Sequence, residues 1–108
     1  MKRGDLITIA LQGDFGKPRP AVVIQSDFFD QHPSVTVLPV TSDLRDTPLF
    51  RVSLTPNDTN HLLNPSQVMV DKAMTVGRER VGQVFGNLDS TAMLTIDRCL
   101  AVFLGIAK

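Results

Sequence analysis

The stretch Pro18-Arg19-Pro20-Ala21-Val22-Val23-Ile24 carries most of the information about the fold. Its Val-Val-Ile centre predicts a short buried strand over Ala21–Gln25, and the glycines and prolines before it predict a loop over Gln12–Pro20. The two prolines restrict the backbone, so Arg19 is expected to be extended and held stiffly at the entrance of the strand. A guanidinium held in this way loses little entropy when it grips a phosphate with two hydrogen bonds.

The next predicted strand, Val35–Val40, ends at Thr41-Ser42-Asp43. If it pairs antiparallel with the first strand so that Gln25 lies near Val35, the same register sets Arg19 opposite Thr41, with Ser42 beside it. A guanidinium and two hydroxyls suit a phosphodiester whose negative charge grows in the transition state. The simpler interpretation is a solvated arginine next to an ordinary Ser/Thr turn.

The remaining pattern is that of a small β-rich protein. Ser26–Ser34 is expected to connect two strands with one helical turn, and the turn-rich segment Thr55–Pro65 to form a mobile surface loop. Further strands are predicted at Leu6–Leu11, Phe50–Leu54, Gln67–Val70, Ala73–Val76 and Val81–Phe85.

A helix is predicted at the C-terminal end, where apolar residues recur at steps of three and four. Asp89 or Ser90 can cap its start and Gly105 can end it; the apolar stripe is Met93, Ile96, Leu100, Phe103 and Leu104. The fold class is therefore α+β and mainly β, a small, partly open barrel or coiled antiparallel sheet covered by the C-terminal helix.

Composition narrows the function classes. A chain of 108 residues fits a single domain, 1–108, and its 11 basic and 11 acidic residues balance. Any nucleic acid must therefore be attracted by a local basic site rather than by the overall charge. Cys99 is the only cysteine, which rules out an intramolecular disulfide and a cysteine metal cluster. We expect a cytoplasmic protein without a membrane segment.

Several motifs, taken together, resemble the MazF/PemK/Kid toxin family. Lys2-Arg3-Gly4-Asp5-Leu6 followed by the Pro18–Ile24 stretch is similar to the family's N-terminal signature. Leu38-Pro39-Val40-Thr41-Ser42 is similar to the strand end that follows it in the family. The segments Gln67–Lys72 and Met74–Val76 resemble a later stretch of the family pattern, so the similarity runs in order across nearly the whole chain.

This resemblance implies an SH3-like barrel, a homodimer and a metal-independent endoribonuclease without cofactors. Cleavage of single-stranded RNA would leave a 2′,3′-cyclic phosphate and a 5′-OH. A labile antitoxin of the MazE/PemI kind would cover the RNA groove, and operator DNA would be met only through that antitoxin. The family's catalytic arginine falls on Arg19, its catalytic threonine on Thr41 and an acidic residue on Asp71. Lys17, Ser42 and Lys72 are the expected further RNA contacts.

The chain departs from the family pattern at three points. The first loop, Gln12–Pro18, is short and lacks a histidine that some members use. Lys72 stands where glutamine is common, and Met69 where some relatives have an arginine. These departures leave the general base open, and they are also compatible with an inactive member that only binds its partner.

The C-terminal part of the chain is compatible with two different functions. Phe103-Leu104-Gly105-Ile106 resembles the end of CcdB, a gyrase poison that acts through its terminal helix without catalysis. The simpler expectation is that Phe103 and Leu104 pack in the core. Cys99 with His32 or His61 could form a nucleophilic pair, but mid-helix the thiol is better explained as a small buried hydrophobe.

Overall fold

The computed structural model describes residues 1–11 and 17–108. Within them, seven strands precede one α-helix: β1 (Asp5–Ala10), β2 (Pro18–Val23), β3 (Ser34–Thr41), β4 (Arg51–Leu54), β5 (Ser66–Met69), β6 (Met74–Gly77), β7 (Val81–Asn87) and α1 (Ser90–Phe103). Short 3₁₀ turns lie at Asp27–Phe29, Val70–Lys72 and Arg78–Arg80. The predicted mainly-β fold with a C-terminal helix is confirmed.

The strands form one coiled antiparallel sheet in the order β4-β5-β3-β2-β1-β7. The long strand β3 changes partner along its length: Ser34–Val37 pair with β6, whereas Val40 and Thr41 pair with β5. A sheet whose central strand is shared in this way must curl, which produces the open barrel.

Both faces of the sheet are apolar. One face packs under α1, whose Ile96 is fully buried among residues such as Leu6, Val22 and Leu38. The opposite face carries a second cluster that includes Ile7, Ile9, Ala21, Val23, Val35, Val37 and Val76. Burial on both faces explains why Ala21–Val23 is a continuous apolar run rather than an alternating one.

The helix ends as its sequence predicts, but its last turn is not core. The Asp89 carboxylate accepts a hydrogen bond of 2.8 Å from the Ala92 N–H, and Gly105 takes a φ of +77° after the helix. Phe103 and Leu104 are 49% and 56% exposed, so the expectation that they pack in the core is wrong. The helix contacts the core through residues up to Leu100, and its final turn extends beyond the core cluster.

Within the described residues no helix combines the length and the apolar character needed to cross a bilayer.

The N-terminal turn fastens β1 to the helix. Gly4 adopts a φ of +92°, which glycine tolerates without strain. The Arg3 guanidinium donates to both carboxylate oxygens of Asp97 on α1, at 2.6 and 3.2 Å, and to the Ile24 carbonyl at 2.8 Å. The turn at Arg3-Gly4-Asp5 therefore links β1 to the helix.

Strand β2 begins three residues earlier than the sequence indicated. Pro18 and Pro20 lie in the strand, opposite Ala10 and Thr8 of β1, whereas the ladder to β3 starts only at Ala21. Prolines are tolerated there because this part of β2 has a free edge on the β3 side, where no N–H is needed. The part of the predicted loop formed by residues 12–16 lies outside the described residues.

Candidate active site

The register between β2 and β3 brings the two candidate catalytic residues to one end of the sheet. Ala21 lies opposite Pro39, and Val23 opposite Val37, which is the predicted register. Continued by two positions beyond the last pair, it sets Arg19 opposite Thr41 on the same face. Pro20 has no N–H with which to extend the ladder, so the strands separate here, and Arg19 and Thr41 both line the openings that result.

The first opening is a cavity of about 390 Å³. Arg19, Thr41 and Ser42 form one side, and His61 and Asn64, from the loop between β4 and β5, contribute to the other. Leucine, valine, proline and phenylalanine side chains, together with the hydroxyls of Thr8 and Ser66, complete the lining. Among the described lining residues, Arg19 carries a charge and His61 brings an imidazole, so the cavity suits an anionic group beside an apolar, base-sized surface.

A second cavity of about 380 Å³ shares Arg19 and Thr41 with the first. Lys72 and two methionines, Met69 and Met74, also line it. The Lys72 ammonium lies 3.7 Å from the Asp71 carboxylate. The Arg19–Thr41 pair therefore belongs to both cavities, and the second adds the cation of Lys72.

The Thr41 hydroxyl is already oriented. Its Oγ1 accepts a hydrogen bond of 3.0 Å from the Asp43 N–H. A hydroxyl has one hydrogen to donate and two acceptor lone pairs, so this contact leaves the hydrogen available for a substrate oxygen.

The other predicted site residues are divided between the cavities and their surroundings. Ser42 lines the first cavity and Lys72 the second. Lys17 is exposed immediately before β2 and lines neither cavity. Asp71 also lines neither; its side chain is 22% exposed, and its Oδ1 has no hydrogen-bond partner among the described residues. The structure thus brings Arg19, Thr41, Ser42 and Lys72 together and leaves Asp71 and Lys17 aside.

His61 also lines the first cavity, although it is not among the site residues predicted from the sequence. It has a φ of +53°, which non-glycine residues seldom adopt and histidine, asparagine and aspartate adopt most readily. Its N–H donates to the Asn57 carbonyl at 3.2 Å. In the sequence the residue stands in a turn-rich segment with no fixed distance to Arg19, so a tertiary contact was needed to locate it.

That tertiary contact is made by the loop's asparagines and by β7. Asn60 is 2% exposed; its amide donates to the Thr55 carbonyl and its Oδ1 accepts from the Asn57 and Leu62 N–H groups.

The loop also contacts β7, where the Thr59 carbonyl accepts from the Asn87 N–H at 3.0 Å. A Cβ at Gly86 would lie 2.5 Å from the Asn60 carbonyl oxygen, so the approach requires glycine. Thr55–Pro65 is a loop as predicted, but a hydrogen-bonded one that carries His61 into the cavity wall.

The structure does not favour a cysteine–histidine pair. The Cys99 thiol donates to the Leu49 carbonyl at 3.1 Å, and burial raises the pKa of this thiol, which favours its unreactive protonated form. The His32 ring is engaged with Ser34, and His61 lies in the cavity. In the part of the chain that the structure describes, no three histidine, cysteine or acidic residues lie close enough to hold a metal ion.

A family model and a known relative both match almost the whole chain. The family model for the PemK-like, MazF-like toxin of type II toxin–antitoxin systems matches residues 2–104. A probable endoribonuclease MazF from Mycolicibacterium smegmatis is 45% identical over 108 residues, which cover 99% of each chain. These matches do not favour a CcdB-like gyrase poison.

Solved structures agree on the fold. An endoribonuclease in complex with its cognate antitoxin, from a mycobacterial species, superposes with a TM-score of 0.84 at 22% identity, over 100% of this chain and 98% of that one. A MazE–MazF crystal structure from Deinococcus radiodurans gives a TM-score of 0.79 at 23% identity, over 99% and 97% of the two chains. At this level of identity the likeness concerns the architecture alone.

Proposed function

The chain belongs to the PemK-like, MazF-like toxin family of type II toxin–antitoxin systems, and we propose that it is a metal-independent endoribonuclease acting on single-stranded RNA in the cytoplasm. The observation that carries the proposal is the meeting of Arg19 and Thr41 at two shared cavities. The relative named as a probable endoribonuclease supports the activity.

The reaction is an internal transfer within RNA. The ribose 2′-OH gives up its proton and attacks the adjacent phosphorus, and the bond to the 5′-oxygen of the next nucleotide breaks. Arg19 is proposed to supply a proton to that leaving oxygen, so a 2′,3′-cyclic phosphate and a 5′-OH result. Arg19 neutralises the non-bridging oxygens as their charge grows, and Thr41 donates its hydroxyl hydrogen to one of them. DNA has no 2′-OH and is therefore spared.

Proton transfer needs a side chain that can accept a proton from a hydroxyl, and the His61 imidazole lines the same cavity as the proposed catalytic pair. We assign to its imidazole the proton of the attacking 2′-OH. Asp71 is left outside the proton path because it lines neither cavity; its carboxylate is instead proposed to orient Lys72. Lys72 and Ser42 contact the RNA backbone, and Lys17, exposed beside the groove, adds electrostatic attraction.

The partners follow from the family. Relatives of this fold have been crystallised with antitoxins, which supports a MazE/PemI-like antitoxin that covers the groove and inhibits cleavage. Contact with operator DNA is proposed only through that antitoxin. A homodimer is part of the proposal, since exposed apolar side chains such as Phe28, Leu49 and Leu63 offer surface for burial. Sedimentation of the purified protein tests the dimer, and a monomer at micromolar concentration would contradict it.

The activity is tested by incubating the purified protein with RNA and with DNA of matched sequence, in EDTA. End-group analysis should find 2′,3′-cyclic phosphate and 5′-OH termini on RNA and no cleavage of DNA. Cleavage that requires added metal, or that leaves 5′-phosphates, would contradict the mechanism.

A further inference from the structure

Gln67 is a buried amide directly beside the site. It lies on β5 as the cross-strand neighbour of Thr41, and only 9% of its surface is exposed. A buried side-chain amide is costly unless its donors and acceptor are engaged. The contacts that engage this one therefore indicate what the residue does.

The Gln67 side chain holds the segment that follows Thr41. Its Nε2 donates to the Arg45 carbonyl and its Oε1 accepts from the Arg45 N–H, both at 2.9 Å. The Arg51 guanidinium donates to the same Oε1 at 3.0 Å and to the Asp43 carbonyl at 2.8 Å. We call Gln67 and Arg51, with the residues 43–45 that they hold, the 43–45 clamp.

The 43–45 clamp ends at the Thr41 hydroxyl, which the proposed reaction uses. The Asp43 carbonyl accepts a hydrogen bond from the Arg51 guanidinium, and the Asp43 N–H donates to Thr41 Oγ1 at 3.0 Å. Gln67 fixes the backbone two residues further on, so the segment is held at both ends. A threonine hydroxyl that accepts from a fixed amide points its own hydrogen elsewhere, and Thr41 lines both cavities.

From this geometry we infer that Gln67 is a positioning residue, which orients the Thr41 hydroxyl through the backbone of residues 43–45. The inference rests on the proposed function, because it assigns Thr41 a hydrogen bond to the phosphate. Positioning of this kind matters in catalysis, since small displacements of a catalytic group cost orders of magnitude in rate. Gln67 itself lines neither cavity.

A double-mutant cycle distinguishes positioning from a general stabilising role. Gln67→Met keeps the shape of the side chain and removes its hydrogen bonds; we expect kcat to fall about tenfold with KM within about twofold of wild type. In a Thr41→Val background, where there is no hydroxyl to orient, the same change should cost less than about twofold. Ser53→Ala is the matched control, because Ser53 is the exposed neighbour of Gln67 on β4 and should leave kcat unchanged.

Equal losses of kcat in the two backgrounds would overturn the inference, as would wild-type activity in Gln67→Met. If Gln67→Met does not fold, Gln67→Glu carries the cycle. It keeps the acceptor for the Arg45 N–H and for Arg51, replaces the donor to the Arg45 carbonyl by an acceptor, and sets a negative charge beside the Arg51 guanidinium. It should lose less activity than the methionine variant, with the same dependence on Thr41.

Amide hydrogen exchange tests the clamp independently of catalysis. The Asp43 N–H should exchange at least about tenfold faster in Gln67→Met than in wild type, while the amides of β1 and β2 stay protected. Unchanged exchange at Asp43 overturns the inference whatever the enzymatic activity. A wild-type protein that leaves RNA intact overturns the proposed function instead, so the two failures are distinguishable.

Discussion

Arg19 and Thr41 line the same two cavities although the ladder between their strands ends two positions earlier, at Ala21 and Pro39. The pair is set by backbone register, and the space between its members arises because Pro20 offers no N–H to continue the ladder. Each side chain that faces this space can be tested separately by substitution.

Replacement of Arg19 should abolish cleavage while the fold persists. We expect Arg19→Ala to lower kcat/KM for RNA by at least about 100-fold, because the developing charge on the phosphate loses its cation. The side chain is exposed, so the free energy of unfolding should change by less than about 1 kcal/mol. Arg98→Ala, an exposed arginine on α1 away from both cavities, serves as control. Retained activity in Arg19→Ala would refute the assignment.

The Thr41 hydroxyl, rather than the volume of the side chain, should matter. Thr41→Val is expected to lower kcat by about 10- to 100-fold, because one donor to the non-bridging oxygen is lost. Thr41→Ser keeps that donor and should stay within about fivefold of wild type. Single-turnover cleavage of a defined oligonucleotide measures both variants. Equal activity of the serine and valine variants would mean that the hydroxyl makes no contact in the transition state.

The His61 imidazole should be needed for the proposed proton transfer. Asparagine tolerates positive φ but carries no imidazole, so His61→Asn removes the ring without straining the loop. We expect this variant to lower kcat/KM for RNA by at least about tenfold, because the group proposed to accept the 2′-OH proton is lost.

The matched control for this variant is His32→Asn, whose ring is engaged with Ser34 outside the cavity. It should keep the wild-type kcat/KM. Wild-type activity in His61→Asn would remove the imidazole from the proton path.

The Cys99 thiol should react slowly with alkylating reagents. Burial raises the pKa of its thiol, so the folded chain favours the protonated form and should react with iodoacetamide more slowly at about pH 8.5 than the unfolded chain does. Burial of the protonated thiol contributes to the free energy of unfolding below the thiol's unfolded-state pKa. This contribution is lost as pH rises through the folded-state pKa. Cys99→Ala should keep full ribonuclease activity. Faster labelling of the folded chain would contradict this description.

The sequence predicted those structural features that depend on residues close together in the chain. Proline restricts the residue before it, aliphatic runs form buried strands, and an antiparallel register propagates by counting, so the Arg19–Thr41 relationship could be predicted. The helix cap at Asp89 and the end at Gly105 follow from equally short-range chemistry.

The rest depends on contacts between distant segments. The approach of the 55–65 loop to Gly86 decides where His61 lies, and no spacing rule links those positions. Whether Phe103 is buried depends on where the sheet stops beneath the helix, which periodicity alone does not reveal. The amide of Gln67 looks in sequence like one polar residue in a short strand, and its partners at Arg45 and Arg51 appear only in three dimensions.

The loop that carries His61 is fastened by Asn60 and β7, whereas Arg19 and Thr41 belong to strands β2 and β3. The group proposed to take the proton is therefore anchored separately from the two residues proposed to contact the phosphate. A substitution that loosens this loop, such as a side chain at Gly86, should displace His61 from the cavity wall and leave the Arg19–Thr41 pair in place.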